Sequence, residues 1–258
     1  MNKDALVDYI LHLADDALIL GHRNSEWCGH GPVLEQDIAI TNISLDLIGQ
    51  ARNFYQYAAK VMNESSASGD GEVTQDTLAY LRDVRQFTNC LLVEQPNGDW
   101  AKTILRQCLF SSYQFYLYDR LRNSNDGTLA AIAEKSLKEV TYHLRWSGEW
   151  VIRLGDGTSE SHQRMLNAIN ELWMYTGELF SATSYESRAV RQGTAVDFEL
   201  FKLQWEEKVK EIFLEATLPW PGEVFQQMGG KEGKHTEHLG YILAELQFMQ
   251  RVYPGSEW

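Results

Sequence analysis

Lys138-Glu139-Val140-Thr141-Tyr142-His143-Leu144-Arg145-Trp146 carries the reading on which the fold turns. Helical bundles that hold carboxylate-bridged metal pairs carry Glu-x-x-His on each of two helices, because a three-residue step is nearly one turn and places both ligands on one face. Here the histidine of such a pair stands at His143, and Val140 occupies the place of its acid. Among the other histidines, His12, His22, His30, His162 and His238 follow Tyr9, Ile19, Trp27, Ser159 and His235 at that spacing, none of them an acid. Only Glu232 and His235 match, and they lie in Gly229-Gly230-Lys231-Glu232-Gly233-Lys234-His235. Glycines there disfavour the regular helix that would fix the spacing, so this segment reads as a loop.

Around His143 the chain reads as long helices. Leu6, Tyr9, Ile10, Leu13, Ala17 and Leu20 recur at helical spacing and predict a first helix over 3–22. From Leu34 to Val61 there is no proline and only Gly49, with Ile40, Ile43, Leu47, Phe54 and Val61 marking an apolar stripe. Residues 63–73 are polar and read as a surface loop prone to disorder. A shorter helix is predicted over 75–85, and Asp99 is placed to cap a third long helix over 100–122. Thr128 starts a fourth, ended by Gly155-Asp156-Gly157, and further helices are predicted over 160–180, 197–215 and 236–252. Two long helices, an extended crossover and two more long helices predict an all-α, ferritin-like four-helix bundle with additional C-terminal helices, as one domain over residues 1–258.

Composition narrows the function. At 258 residues, with 44% hydrophobic and 23% charged, the chain can bury a full core. A net charge of −13 argues against nucleic acid and against an anionic lipid surface, since both need clustered cations. Asp4, Asp8 and His12 interrupt the apolar pattern a signal peptide would need, and no apolar run approaches the roughly 20 residues of a membrane span. Cys28, Cys90 and Cys108 are scattered, which suits a reducing cytoplasm without a disulfide framework.

A di-iron bundle also needs an inward carboxylate from each remaining helix. Trp100 to Tyr118 contains no Asp or Glu, and its inward polar candidates are Gln107, Ser111 and Gln114. Neutral amides and hydroxyls leave ion charge uncompensated in a dry core. Asp46, at the centre of the second helix, is followed three residues later by Gly49 instead of histidine. Asp15, Asp16, Asp46, Lys138, Glu139 and His143 are therefore the candidate members of an interior polar cluster in a former metal site, with Lys138 replacing the metal's charge. The competing readings are that Lys138 and Glu139 sit on solvated faces and that His143 is an ordinary core histidine hydrogen-bonded to a neighbour.

Glu26-Trp27-Cys28-Gly29-His30, Leu45-Asp46-Leu47-Ile48-Gly49-Gln50-Ala51-Arg52-Asn53, Leu92-Val93-Glu94-Gln95-Pro96-Asn97-Gly98, Tyr142-His143-Leu144-Arg145, Gly229-Gly230-Lys231 and His235-Thr236-Glu237-His238-Leu239-Gly240 together resemble the C-subunit family of the bacterial phenylacetyl-CoA epoxidases, over nearly the whole chain. The resemblance implies a ferritin-like sibling of a di-iron catalytic A subunit. Laid on the A-subunit motifs, the first Glu-x-x-His falls on Leu47 and Gln50, and the second on Val140 and His143. It implies no catalytic residue, cofactor or metal on this chain, with the di-iron centre on the A subunit and electrons supplied by a separate reductase. The implied role is structural: pairing with the A subunit, with self-association when that partner is missing.

Two rival readings stand beside it. One is a metal-binding ferritin-like oxidoreductase with an atypical ligand set drawn from Asp15 or Asp16, Asp46, Glu139 and His143. The other is an anion site for a partner or a CoA phosphate, using Lys231 and Lys234 ahead of a helix N-terminus at Thr236. The phosphate-loop pattern itself fails, because Met228 stands where its first glycine belongs and His235 where Ser or Thr should follow Gly233-Lys234.

Overall fold

The computed structural model describes residues 3–65 and 72–256. The all-α expectation holds: the described residues form helices and turns, with no strand among them. The central residues of the polar 63–73 loop, 66–71, lie outside the described residues. By its contacts the chain forms two compact units, the first made of 1–94, 183–189 and 229–258, the second of 95–182 and 190–228.

The first unit is built on a hairpin of α1 (Lys3–Ser25) and α2 (Leu34–Asn63). Ile40, Ile43, Leu47, Ala51, Phe54 and Ala58 of α2 form a buried 3–4 stripe, and Leu6, Ile10, Leu13 and Ala17 of α1 are buried on the same spacing. Where a helix was expected over 75–85, α3 (Gln75–Tyr80) stops early and a 3-10 turn follows at Val84–Gln86. The cause is Arg82, whose buried guanidinium turns inward to donate to the carbonyls of Leu78 (2.6 Å) and Gln86 (2.8 Å). The short helix α4 (Leu91–Glu94) ends this part of the unit.

The second unit is built on α5 (Trp100–Leu121), α6 (Gly127–Gly155) and α7 (Ser159–Leu172). Asp99 caps α5 as expected, accepting from the Lys102 N–H at 3.0 Å. Asp126 caps α6, accepting from the N–H groups of Thr128 (3.0 Å) and Leu129 (2.9 Å), so that helix starts at Gly127. The helix expected over 160–180 breaks after Leu172 into 3-10 turns at Trp173–Tyr175 and Gly177–Phe180. Tyr113 sits among Phe110, Phe180, Phe198 and Phe201, with ring centroids 5.8 to 6.2 Å apart, an aromatic core that holds these turns against α5.

A helix that the periodicity did not reveal, α8 (Ser184–Arg191), returns to the first unit through Ala189. α9 (Lys202–Glu215) belongs to the second unit. A 3-10 turn at Gly230–Glu232, α10 (Glu237–Leu246) and α11 (Phe248–Val252) complete the first. The expected helix over 236–252 is thus two helices hinged at Gln247, whose amide donates to the carbonyls of Ala79 (3.3 Å) and Arg82 (2.9 Å). No described helix is long and apolar enough to cross a membrane.

Candidate functional site

The densest collection of buried ionisable groups lies in the first unit and is organised by α1. Asp15 and Asp16 are buried, as the sequence suggested, but Lys138 is not their cation. Asp15 accepts from Tyr55 Oη at 2.5 Å, from the Thr88 N–H at 2.8 Å and bidentately from Arg82, through Nη1 at 3.1 Å and through Nη2. A buried carboxylate needs this degree of compensation to remain charged. Burial raises the Tyr55 phenol well above its ordinary range, and the Asp15 charge beside it pushes the same way. Tyr55 is therefore a fixed donor to Asp15.

Asp16 accepts from the Cys90 N–H at 2.7 Å and faces His12 Nε2 at 3.5 Å. Its burial raises its pKa above the ordinary carboxylate value, against the pull of His12, the Cys90 amide and Lys231. His12 Nδ1 meets the Thr88 carbonyl at 2.7 Å, so Nδ1 carries the proton, while Nε2 lies 3.6 Å from Glu186 Oε1. Glu186 is a functional-looking residue that sequence reasoning missed. It accepts from Lys231 Nζ at 3.0 Å and from the Thr183 N–H at 2.8 Å, and both charged side chains are almost wholly buried. Burial alone would raise the Glu186 pKa, but the Lys231 and His12 charges outweigh it and hold the carboxyl below its ordinary value.

The glycine-rich segment explains how Lys231 and His235 reach this core. A Cβ on Gly230 would lie 2.4 Å from the Asn89 carbonyl oxygen, and one on Gly233, at φ +77°, would lie 2.4 Å from that of Arg85. The loop therefore packs its bare backbone on residues 85–91 and threads its side chains inward. His235 Nε2 meets the Phe87 carbonyl and Nδ1 meets Glu94 Oε2, each at 2.8 Å. A carbonyl and a carboxylate can only accept, so both ring nitrogens carry protons and His235 is an imidazolium. Burial opposes that charge, but the hydrogen bond and charge of Glu94, with the Phe87 carbonyl, overcome it and raise the His235 pKa above 6.5. Glu94 also accepts from Asn89 Nδ2 (2.9 Å) and from the Thr236 N–H and Oγ1 (2.7 Å each).

Several sequence expectations are corrected here. Lys138 is exposed, and Glu139 and Asp46 are half-buried, so they are not members of an interior cluster; Lys138 projects from the solvated side of α6. Arg82 faces buried Asp15, Lys231 faces buried Glu186 and His235 faces buried Glu94. Lys231 is spent on Glu186 and is not available to a phosphate, while Lys234 is exposed and lies 3.7 Å from Glu232. The helix N-terminus at Thr236 does attract an anion, but it is the chain's own Glu94. The Glu232-His235 pair is not a ligand pair: the segment is a loop, Glu232 points to solvent and His235 is committed to Glu94 and Phe87.

Leu47, Gln50, Val140 and His143 are all buried. Ser147 Oγ donates to the His143 carbonyl at 2.7 Å within α6. On α5, Gln107, Ser111 and Gln114 are buried as expected, and they engage their own helix: Gln107 Nε2 donates to Ser111 Oγ at 2.7 Å, and Gln114 Nε2 to Tyr118 Oη at 3.3 Å. Neither Leu47 with Gln50 nor Val140 with His143, each pair taken by itself, offers the carboxylate that a di-iron centre needs. Leucine and valine offer no ligand atom, and among the described residues no group of three or more His, Cys, Asp or Glu is arranged to hold a metal ion.

Comparison with known proteins places the chain. A family model described as "Phenylacetic acid catabolic protein" matches residues 1–258. A relative from Escherichia coli (strain K12), named as the C subunit of 1,2-phenylacetyl-CoA epoxidase, is 50% identical over 253 residues, covering 98% of this chain and 99% of that protein. The chain therefore belongs to the phenylacetic acid catabolic protein family.

Proposed function

We propose that this chain is the non-catalytic C subunit of a multicomponent 1,2-phenylacetyl-CoA epoxidase, pairing with and stabilising a di-iron A subunit in aerobic phenylacetate degradation. The reading rests on the family and on the near full-length relative that bears that name. The observation that carries the non-catalytic part is the state of the two ferritin-type ligand positions. Where the resemblance puts acids, Leu47 and Val140 are fully buried apolar side chains, and Gln107 and Gln114 of α5 donate along their own helix. Among the acids that remain buried, Asp15 is matched by Arg82 and Glu186 by Lys231, as a folding core requires.

In this assembly the A subunit holds the iron, a reductase supplies its electrons, and this chain works as a folded partner in the cytoplasm. The test is anaerobic loading of the purified chain with ferrous iron, followed by desalting and elemental analysis. The proposal expects far less than one iron per chain. Stoichiometric iron that is lost on Asp46→Ala or His143→Ala would overturn it in favour of the atypical ligand set.

A further inference from the structure

The His12 ring is wholly buried in the first unit, and both of its nitrogens face oxygen atoms that accept hydrogen bonds. Nδ1 donates to the Thr88 carbonyl at 2.7 Å. Nε2 is nearly equidistant from Asp16 Oδ2, at 3.5 Å, and Glu186 Oε1, at 3.6 Å, and no described residue offers it a closer hydrogen bond. A neutral imidazole with its proton on Nδ1 would turn the Nε2 lone pair toward two carboxylates in a space shielded from water, which is repulsive. An N–H on Nε2 turns the same contacts into attraction.

Charge balance around the ring points the same way. Asp15 is matched by Arg82 and Tyr55, and Glu94 by His235. Facing His12 there remain Asp16 on α1, Glu186 on α8 and Lys231 on the glycine-rich loop, two acids against one cation. An imidazolium makes this group neutral, whereas a neutral ring leaves one buried negative charge uncompensated. Cys90 contributes its backbone N–H to Asp16, and the Tyr185 ring centroid lies 6.3 Å from that of His12. Burial and the Glu186 charge hold the Tyr185 phenol well above its ordinary range, so it stays neutral. Burial raises the Asp16 carboxyl, and the charge of His12 is the largest influence opposing that rise.

We propose that His12 is an imidazolium at neutral pH and that its proton is a switch fastening residues 183–189, which carry Glu186, to α1. These residues enter the first unit from a stretch of chain that otherwise belongs to the second. Two neighbouring side chains tie them down: Glu186 lies between His12 and Lys231, and Tyr185 Oη donates to the Lys231 carbonyl at 3.3 Å. Loss of the proton leaves Asp16 and Glu186 repelling one another across an imidazole lone pair, so the segment opens more readily. The proton's contribution is complete below about pH 6.5, where an unfolded histidine also binds one, and it is lost as pH rises through the value of the folded site.

The experiment reads the ring charge and the opening of the segment in the full chain. With histidine labelled by nitrogen-15, NMR at pH 7.5 should show both His12 ring nitrogens protonated, the resonance being assigned by its absence from His12→Asn. A neutral His12 ring at that pH overturns the proposal. Hydrogen exchange of the amides of residues 184–189, followed by mass spectrometry and corrected for the intrinsic effect of pH, should show protection falling by up to about ten-fold per pH unit between pH 7.5 and 9. In Asp16→Asn the amide oxygen keeps the Cys90 N–H and the amide nitrogen donates to the Nε2 lone pair, so the bound proton is no longer needed and the fall disappears. Protection that does not change with pH in the native chain, or that falls equally in Asp16→Asn, overturns the switch. The ring charge and the native exchange need no substitution at Asp16, so they decide the question even if that variant fails to fold.

Discussion

Replacing Lys231 by Met removes the cation from a carboxylate that has almost no access to water. Lys231 Nζ lies 3.0 Å from Glu186 Oε1, and their side chains are 2% and 1% exposed. At that separation the attraction is on the order of 5 kcal/mol for an effective dielectric constant near 20. Loss of one partner of such a pair costs about 3–5 kcal/mol, because the other charge stays buried. For a chain of this size that lowers the apparent Tm by roughly 10 °C, readable by differential scanning fluorimetry. The double variant Lys231→Met/Glu186→Gln keeps an acceptor for the Thr183 amide and strands no charge, so it recovers much of the loss.

The pH dependence of this pair has a definite sign. The Glu186 pKa is lowered on folding, so the native pair contributes its full stability above the unfolded value of 4.5 and loses it as pH falls through the depressed folded value. In Lys231→Met the carboxyl of Glu186 rises instead, and the gap to the native chain narrows as the medium becomes acidic. A single variant with native Tm, or a double variant no better than the single, would refute the assignment of Lys231 as the compensating cation.

Further expectations follow from the same core. The stability difference between the native chain and His235→Gln is greatest below pH 6.5 and shrinks as pH rises through the raised His235 value, as urea titrations across pH 6 to 9 will read. Cys28 is exposed, whereas Cys90 is buried and burial pushes the Cys108 thiol up to about 12. Ellman's reagent therefore reacts with one thiol in the native chain and with all three after denaturation. Gly230→Ala puts a Cβ 2.4 Å from the Asn89 carbonyl oxygen and should cost several kcal/mol, on the scale of backbone strain, lowering soluble yield or Tm accordingly.

What the sequence revealed and what it hid divide along physical lines. Helix-forming stripes, the Asp99 cap and the loop character of Gly229 to His235 are local, set by spacing and backbone preference within a few residues, and all are found in the structure. The pairings of the buried core are not local. Lys231 meets Glu186 across 45 residues, Arg82 meets Asp15 across 67, and His235 meets Glu94 across 141. The need for a compensating cation is legible from Asp15 and Asp16, but Lys138 stands beside His143 in the chain, and periodicity does not show that it faces solvent. Glycines packed on a neighbouring stretch of backbone are the available signal for Lys231: a loop that close to the core carries its charged residues inward.

The proposed role, supporting epoxidation without performing it, has a direct signature in turnover. Product formation from phenylacetyl-CoA, with reductase, reduced cofactor, ferrous iron and oxygen, should be measured for this chain alone, for the A subunit alone and for the two together. The expected result is no epoxide from this chain alone and greater activity or longevity of the A subunit in its presence. Turnover by the isolated, iron-loaded chain would contradict the non-catalytic role.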